Sequence, residues 1–544
     1  MTGVTVPDDT AASTLPVLRV EGRPDDALAA GPLGSLDETA LLRFLAGRRW
    51  FGAKGHTPRS VRVADVIPLR APGGGPELGA AIARLAVELA EGRVETYQLP
   101  LAVRPAGGPA PSAVLARVEA SDGGRGVLFD AVEDESFRGM LAEAFAAGGA
   151  AFGDGEPSGT RWVVEPVGEG GGEMRGAGAS RVGSAEQSNT SIIYGDRAIL
   201  KLYRRLEEGE NPDVEIARFF ATKTSFENTP RLLGTIRFEG GAGGSGGSSV
   251  AGILQRFLPG STDCWHYALE RSRPYFRAPS NRPVASDFVG DAERLGIVTR
   301  AMHDALASDP ADPDFAPEPA TDDDIAQWTS AVQQAVEGGM ALVEAQLAAG
   351  RLPADQAGQA RHLLSKREVY REHIAERARV LSGHAGARIR HHGDYHLGQV
   401  LRAQSGEFMV IDFEGEPARP MAVRRRRHSA LRDVAGMLRS FAYAAATLSM
   451  EVQQQHDAGR LAQRASRWER GVRDAFLNGY LNSGDPGARA PFLPDEARHI
   501  DALISLFETE KVFYELGYEL NNRPTWVWIP LRGAVGLLIR GAAV

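Results

Sequence analysis

Asp394 and Asp412 are the carboxylates around which this chain's chemistry can be organised. They stand in His391–Pro417, HHGDYHLGQVLRAQSGEFMVIDFEGEP, where imidazoles, amides and acids are denser than packing requires. Val400 and Leu401, then Phe408, Val410 and Ile411, read as two short strands, and the second breaks into Asp412-Phe413-Glu414-Gly415, which is acid-rich and turn-prone. An acid in a loop, an amide five residues on, and an acid closing the next hairpin is the arrangement used for phosphoryl transfer to a hydroxyl. The phosphates are polyanionic, Mg²⁺ neutralises them, and Mg²⁺ takes hard oxygen ligands. On this reading Asp412 and Gln399 hold the metal, Glu414 adds a contact, and Asp394 orients and deprotonates the attacking hydroxyl. Each acid alone would pass for a loop carboxylate; the set at this spacing would not. A zinc site from His391, His392 and His396 fits less well, because the neighbouring residues read as strands and not as the helix on which zinc hydrolases pair histidines with an acid.

Such chemistry demands a nucleotide site upstream. Gln187, Ser188, Asn189, Thr190 and Ser191 are the candidate loop over the phosphates, ahead of a hairpin whose far strand carries Lys201. Glu215, in a helix opened by Asn211-Pro212, is the candidate partner of Lys201, although the favourable field of a helix start would also explain it. Gln255 and Phe257, in QRFLPG, are the candidate hinge for an adenine ring. No G-x-G-x-x-G or Walker pattern is present. Towards the C-terminus Glu510, Tyr514 and Tyr518 or Glu515 recur on one helical face, which Asn522 and Arg523 end. With His396 they suit a sugar, whose hydroxyls need fixed polar partners and whose ring faces need flat apolar ones, though a capping network would use the same residues.

Of the elements that must position these groups, residues 1–34 read as a flexible leader and 35–125 as a cap subdomain, with Ser35 and Glu38 as a capping box before a helix, then RRWFGAKG and strands at 61–69, 80–89, 94–103 and 112–118. Residues 126–258 read as a β-rich nucleotide-binding N-lobe, with 240–249 as a flexible hairpin tip. Residues 259–544 read as a helical C-lobe interrupted by the catalytic hairpins, with helices at 286–306, 321–350 (capped by Thr321 and Asp324), 353–381, 431–448, onward to 480, and 495–520. Strands first and helices later make an α+β, two-lobed protein-kinase-like fold with an N-terminal cap. At 544 residues, 43% of them hydrophobic, the chain can bury several cores. Its net charge of −9 gives no overall basic field for nucleic acid or anionic membrane, so Arg424–Arg427 reads as a solvated or phosphate-balancing segment. One cysteine, Cys264, excludes an internal disulfide framework and suits a reducing cytoplasm. With no secretory pattern at the start and no apolar run near eighteen residues, a soluble, unexported, cytoplasmic protein is expected.

HHGDYHLGQVLR, VIDFEGEPARP, LRDVAGMLRSF, EQSNTSIIYGDRAILKLYRRLEEGENPDVE, YELNNRPTWVWIPLRG and RRWFGAKG together resemble bacterial maltokinases, over a span from about Ser35 to Gly541. Actinobacterial glucosamine kinases share the catalytic hairpins. The resemblance implies transfer of the ATP γ-phosphate to the anomeric hydroxyl of maltose for α-glucan synthesis, on an aminoglycoside-phosphotransferase-like fold, with roles for Asp394, Gln399, Asp412, Lys201 and Glu215. It also raises an association with trehalose- or maltose-handling enzymes through the cap. Departures are the longer leader, glycine-rich insertions near 168–178 and 240–249, and Cys264-Trp265 where Gly-Trp is expected. A glucosamine or other amino-sugar kinase, an inactive nucleotide-binding regulatory module, and a nucleic-acid binder using Arg424–Arg427 are the competing readings; intact Asp394, Gln399 and Asp412 argue against the second, and the acidic balance against the third.

Overall fold

Period-two apolar patterning in the first half and period-3.6 patterning in the second give strands and then helices. The structure is a computed structural model that describes residues 15–55, 57–69, 79–109, 111–153, 159–183, 188–240, 248–279, 285–417, 419–454, 456–484 and 490–541. The chain divides into two units, residues 1–215 with 230–259, and residues 216–229 with 260–544.

The first unit holds two sheets. β1 (Val17–Val20), β2 (Pro58–Leu69), β3 (Ala80–Leu89), β4 (Val94–Pro105), β5 (Val114–Ala120) and β6 (Arg125–Asp130) lie in the order β1-β5-β6-β4-β3-β2. α1 (Ala30–Gly34) and α2 (Glu38–Ala46) accompany them, and α3 (Glu135–Ala146) follows. β7 (Ala150–Phe152), β8 (Arg161–Pro166), β9 (Ser180–Val182), β10 (Asn189–Tyr194), β11 (Ala198–Tyr203), β13 (Leu232–Glu239) and β14 (Ser249–Arg256) form the second sheet, in the order β7-β8-β13-β14-β11-β10-β9, with α4 (Gly170–Met174) after β8. The short β12 (Arg205–Leu206) pairs with β4 of the first sheet. β3 is buried along nearly its whole length because its alternate residues enter different cores: Ala81, Ala83 and Leu85 pack with Leu41, Phe51 and Tyr97, whereas Ala80 and Ile82 pack with Trp162, Ile192 and Leu200. Gln98 ties the sheets further, its Nε2 donating to the carbonyls of Tyr203 at 2.8 Å and Ala251 at 2.6 Å.

Two sequence expectations change here. Residues 17–34 of the expected leader carry β1 and α1, and β1 pairs in parallel with β5, because the alternation in VLRV buries Leu18 and Val20. The cap of α2 is Asp37, which accepts from Ala40 N at 2.7 Å, while Ser35 instead ends α1; the expected Ser35–Glu38 box is displaced by a nearer acid with the same capping ability.

α5 (Pro212–Lys223) carries the chain onward. In the second unit, β15 (Thr262–Asp263), α6 (Cys264–Arg277), α7 (Phe288–Leu306), β16 (Glu318–Pro319), α8 (Asp322–Ala348), α9 (Ala354–Leu364), α10 (Arg367–Leu381), β17 (Ala387–Arg388), β18 (Val400–Arg402), β19 (Phe408–Val410), α11 (Met421–Arg424), α12 (Leu431–Val452), α13 (Ala458–Asn482), α14 (Ala497–Asn522) and α15 (Trp528–Gly541) follow in order. The Thr321–Asp324 capping box forms at the start of α8. One apolar core joins the helices, and Tyr395, Leu397, Val400, Val410 and Phe413 of the carboxylate-bearing segment are rooted in it. β18 pairs with β19 in the register Val400↔Val410, which makes the expected hairpin. The α+β protein-kinase-like architecture with its cap sheet is thus the fold of the chain. No helix among the described residues is long and apolar enough to cross a membrane.

Candidate functional site

The loop before β18 is fixed from behind by Asp433, a residue the spacing of the hairpins does not reveal. Asp433 is buried at the start of α12 and accepts from the backbone N–H of His392 at 2.7 Å, that of Gly393 at 2.9 Å, and His303 Nε2 at 3.1 Å. Burial would push its carboxyl up, but the hydrogen bond from His303 and the neighbouring imidazoles more than offset that and hold it well below the usual carboxylate range. Gly393 takes φ +84°, and Gly436 lets α12 approach so closely that a Cβ there would lie 2.6 Å from the Tyr395 carbonyl. The loop is therefore a clamped backbone, and Asp394 projects from it onto the wall of a cavity of about 430 Å³ that Lys511, Tyr514, Glu416 and Glu510 also line.

Lys511, on α14, is the second residue that sequence reasoning missed. Its Nζ lies 3.3 Å from Asp394 Oδ1 and 3.0 Å from Glu416 Oε1. Burial would lower the ammonium's pKa; Asp394 and Glu416 more than offset this and raise it, so it stays charged. Burial would likewise raise the Glu416 carboxyl, but Lys511, Arg419 and Arg432 bring it down to about 2. The signal available in the sequence was the lysine one step beyond Glu510, on a face where only the acid and aromatics drew notice.

Asp412 and Gln399, the expected metal ligands, are neighbours: Gln399 Nε2 donates to Asp412 Oδ2 at 2.9 Å. Asp412 is the sole non-glycine residue with positive φ, +67°, among the described residues, a conformation that side chains adopt at a cost. Its carboxylate, the Gln399 amide oxygen and Glu414 are hard oxygen donors, so the donor set fits a magnesium-like cation better than a soft metal. The Glu414 carbonyl accepts from Arg424 at 3.1 Å.

On the nucleotide side, Lys201 stands in β11 opposite Ser191 of β10. Its Nζ lies 3.6 Å from Asp213 Oδ2, in the same helix as the expected partner Glu215, and Tyr203 Oη donates to the same oxygen at 2.9 Å. Asn211 Oδ1 caps the helix by accepting from Asp213 N, which turns the Asp213 side chain of the first turn toward β11. Asn189, Thr190 and Ser191 are strand residues rather than loop residues; Thr190 is buried and its Oγ1 accepts from Arg204 Nε at 2.8 Å, so alternation commits it to the interior. Ser188 lies at the bend just before the strand, and Gln187 lies outside the described residues, as does most of 240–249. Gln255 is the penultimate residue of β14, and the Phe257 N–H donates to the Arg197 carbonyl at 2.8 Å, so of the expected hinge this one donor is used by the sheet.

The expected sugar residues fall into two groups. Glu510 is held by Arg432 through paired bonds at 2.7 and 3.0 Å and by Arg419 at 3.3 Å, a salt-bridged anchor rather than an open carboxylate. His396, Tyr514, Tyr518 and Arg523 instead line a second cavity of about 420 Å³, with Trp265, Tyr443, Trp526 and Glu519. Tyr514 and Lys511 border both cavities. His396 Nε2 is 4.0 Å from Asp394 Oδ2; burial, opposed by Asp394, lowers its pKa and keeps the ring neutral near pH 7. Asn522 Nδ2 is used within the helix, on the Tyr518 carbonyl at 2.9 Å. Glu519 is 1% exposed: Oε1 takes Tyr443 and Arg523, and Oε2 has no hydrogen-bond partner among the described residues.

Residues 44–134 match a family described as the maltokinase N-terminal cap domain. The chain is 26% identical over 363 residues to a glucosamine kinase of Mycolicibacterium smegmatis, covering 66% of this chain and 80% of that one. It is 27% identical over 348 residues to a glucosamine kinase of Streptacidiphilus jiangxiensis, covering 63% and 70%. Among solved structures, a glucosamine kinase in complex with glucosamine, ADP and inorganic phosphate superposes with a TM-score of 0.62 at 21% identity, over 93% of this chain and 98% of that one, a likeness of fold.

Proposed function

For a chain that belongs to the maltokinase- and glucosamine-kinase-like family of sugar kinases, we propose that the acceptor is maltose and that its anomeric hydroxyl receives the γ-phosphoryl group of ATP. The chain is an ATP-dependent phosphotransferase acting on a hydroxyl. The observation that carries the residue assignment is the Asp394–Lys511 pair at 3.3 Å on the wall of a cavity, with the backbone beneath Asp394 clamped by Asp433. Asp394 accepts the hydrogen bond of the attacking hydroxyl and takes its proton. Lys511 sets a fixed positive charge beside the position where phosphoryl charge arrives, and Lys201 is the lysine for the nucleotide phosphates. Mg²⁺ held by Asp412, Gln399 and Glu414 would neutralise phosphate charge when bound.

The aromatic cavity supports a sugar larger than one ring. Trp265, Tyr443, Tyr514, Tyr518 and Trp526 supply flat apolar surfaces, and the unpartnered Glu519 Oε2 is an acceptor for a hydroxyl donor. The charged residues lining this cavity balance, Lys511 and Arg523 against Glu515 and Glu519, which suits a neutral acceptor. The names of the relatives favour glucosamine as the second reading. The buried Cys264 thiol accords with the reducing cytoplasm as the place of action. ADP release measured with Mg²⁺ over maltose, glucose and glucosamine decides between them: maltose is expected to give the highest kcat/KM, glucosamine alone would replace the acceptor, and release with no sugar would sink the phosphotransfer reading.

A further inference from the structure

Arg424–Arg427, which the reaction leaves unused, lines a third cavity in the helical unit, of about 620 Å³, together with Arg388, Arg419, Arg432 and His391. Seven guanidinium groups face four carboxylates there, with Asp314 beside Arg425 at 3.7 Å as a fifth, and each carboxylate is already engaged. Glu318 meets Arg388 at 2.8 Å and Arg427 at 2.9 Å, Asp324 meets Arg388 at 2.7 Å, and Glu416 and Glu510 meet Arg419 at 2.5 and 3.3 Å. Positive charge is left over in a concave, partly enclosed site, where water screens it less than on an open surface. A separate observation points the same way. His391 is 9% exposed, lines the cavity, and has an Nδ1 with no hydrogen-bond partner among the described residues; Nε of Arg388 and of Arg427 are likewise buried and unpartnered. The guanidinium nitrogens can only donate, and the imidazole nitrogen donates in the tautomer that protonates it, so the wall holds donors that its own carboxylates do not satisfy.

We propose that this cavity binds a phosphate group, either as the free ion or esterified to a small sugar. Tetrahedral oxyanions match the planar forks of arginine, which bond two oxygens at once. Nucleic acid fits less well, since the one large aromatic of the cavity, Trp328, is buried and already stacked on His428, and the chain is acidic overall. The cavity shares Gly393, Glu416, Arg419, Arg432 and Glu510 with the one that Asp394 lines, and Arg424 donates to the carbonyls of Glu414 and Arg419, each at 3.1 Å. A phosphate bound there competes with Glu510 for Arg419 and Arg432 and pulls on the loop after Asp412.

The test is calorimetric titration of the full chain with inorganic phosphate and, separately, glucose 1-phosphate, at an ionic strength held near about 150 mM with chloride. Saturable binding is expected, weakened about tenfold or more in the Arg425→Gln/Arg426→Gln double variant, whose circular dichroism and melting temperature verify folding. If the double variant does not fold, Arg426→Gln at its exposed position takes its place and is expected to weaken binding severalfold. Tighter binding of the ester assigns the site to a phosphorylated sugar, and tighter binding of the ion assigns it to free phosphate. Heats that never saturate, or folded variants that bind as the parent does, overturn the proposal. No turnover is needed, so that failure leaves the phosphotransfer reading standing.

Discussion

The loops that bear Asp394 and Asp412 lie one hairpin apart and are held in opposite ways. Asp394 rests on a backbone whose amides at 392 and 393 are fixed by the buried Asp433, and its own carboxylate is met by Lys511 at 3.3 Å. Asp412 sits on a strained backbone, φ +67°, with Gln399 donating to its carboxylate. A group that must accept a proton in one direction benefits from a preformed scaffold. A metal ligand can carry conformational strain that a bound cation would offset, since strain persists only where something else over-determines the geometry. The contrast accounts for a positive-φ acid on the loop proposed to hold the metal.

That contrast can be broken at four points. The largest effect is expected from Asp394→Asn, which removes the proton acceptor and keeps the shape. Steady-state assays should show turnover down by about 10³-fold or more, with ATP affinity near that of the parent. Retained turnover would remove Asp394 from the role of base. Next comes Asp433→Asn, which leaves His303 and two backbone amides facing a weaker acceptor. A loss of about 3 kcal/mol or more in stability is expected by denaturant unfolding, with turnover falling too. An unchanged unfolding curve would mean that the clamp is decorative.

The third is a pH effect at the clamped loop. His391 is buried and its pKa is lowered to about 4 by burial, only partly opposed by Asp433. Because the unfolded imidazole titrates near about 6.5, the unfolded chain binds a proton that the native chain refuses between those values. Stability is therefore complete above about pH 6.5 and falls with acidification toward pH 4, by up to about 3 kcal/mol for this one group. Melting temperatures across that range should decline in the parent and less steeply in His391→Asn; identical slopes would remove His391 from the account. The smallest effect belongs to the strained side. Asp412→Gly should relieve about 1 kcal/mol of backbone strain and hold or raise the melting temperature, while abolishing metal-dependent nucleotide binding. A lower melting temperature would show that Asp412 is not strained.

Local chemistry in the hairpin segment is legible in the order of its residues. Strand alternation in Val400–Leu401 and Phe408–Val410, the turn that frees Asp412, and the Thr321–Asp324 cap are nearest-neighbour effects, and each forms. The β-first, helix-later order likewise yields the kinase-like fold, because hydrophobic period follows element type. Less legible are residues whose role depends on which face of an element they occupy. Thr190 and Ser191 have the composition of a phosphate loop, yet extending β10 by one pleat turns the Thr190 hydroxyl inward to Arg204. Leu18 and Val20 lie in a stretch whose composition suggests a loose leader, and one parallel pairing with β5 orders them.

Sequence alone thus determined the element types, the acids of the hairpins and the amide that meets Asp412, all within about twenty residues of one another and therefore governed by local spacing. Tertiary structure alone decided that Asp433 would clamp a loop 40 residues away, that Lys511 would reach Asp394 across 117 residues, and that Asp213 would come within 3.6 Å of Lys201. The reason is physical: a charge's partner is set by the path of the packed backbone and the cost of burying it unpaired, and neither is written in the order of residues.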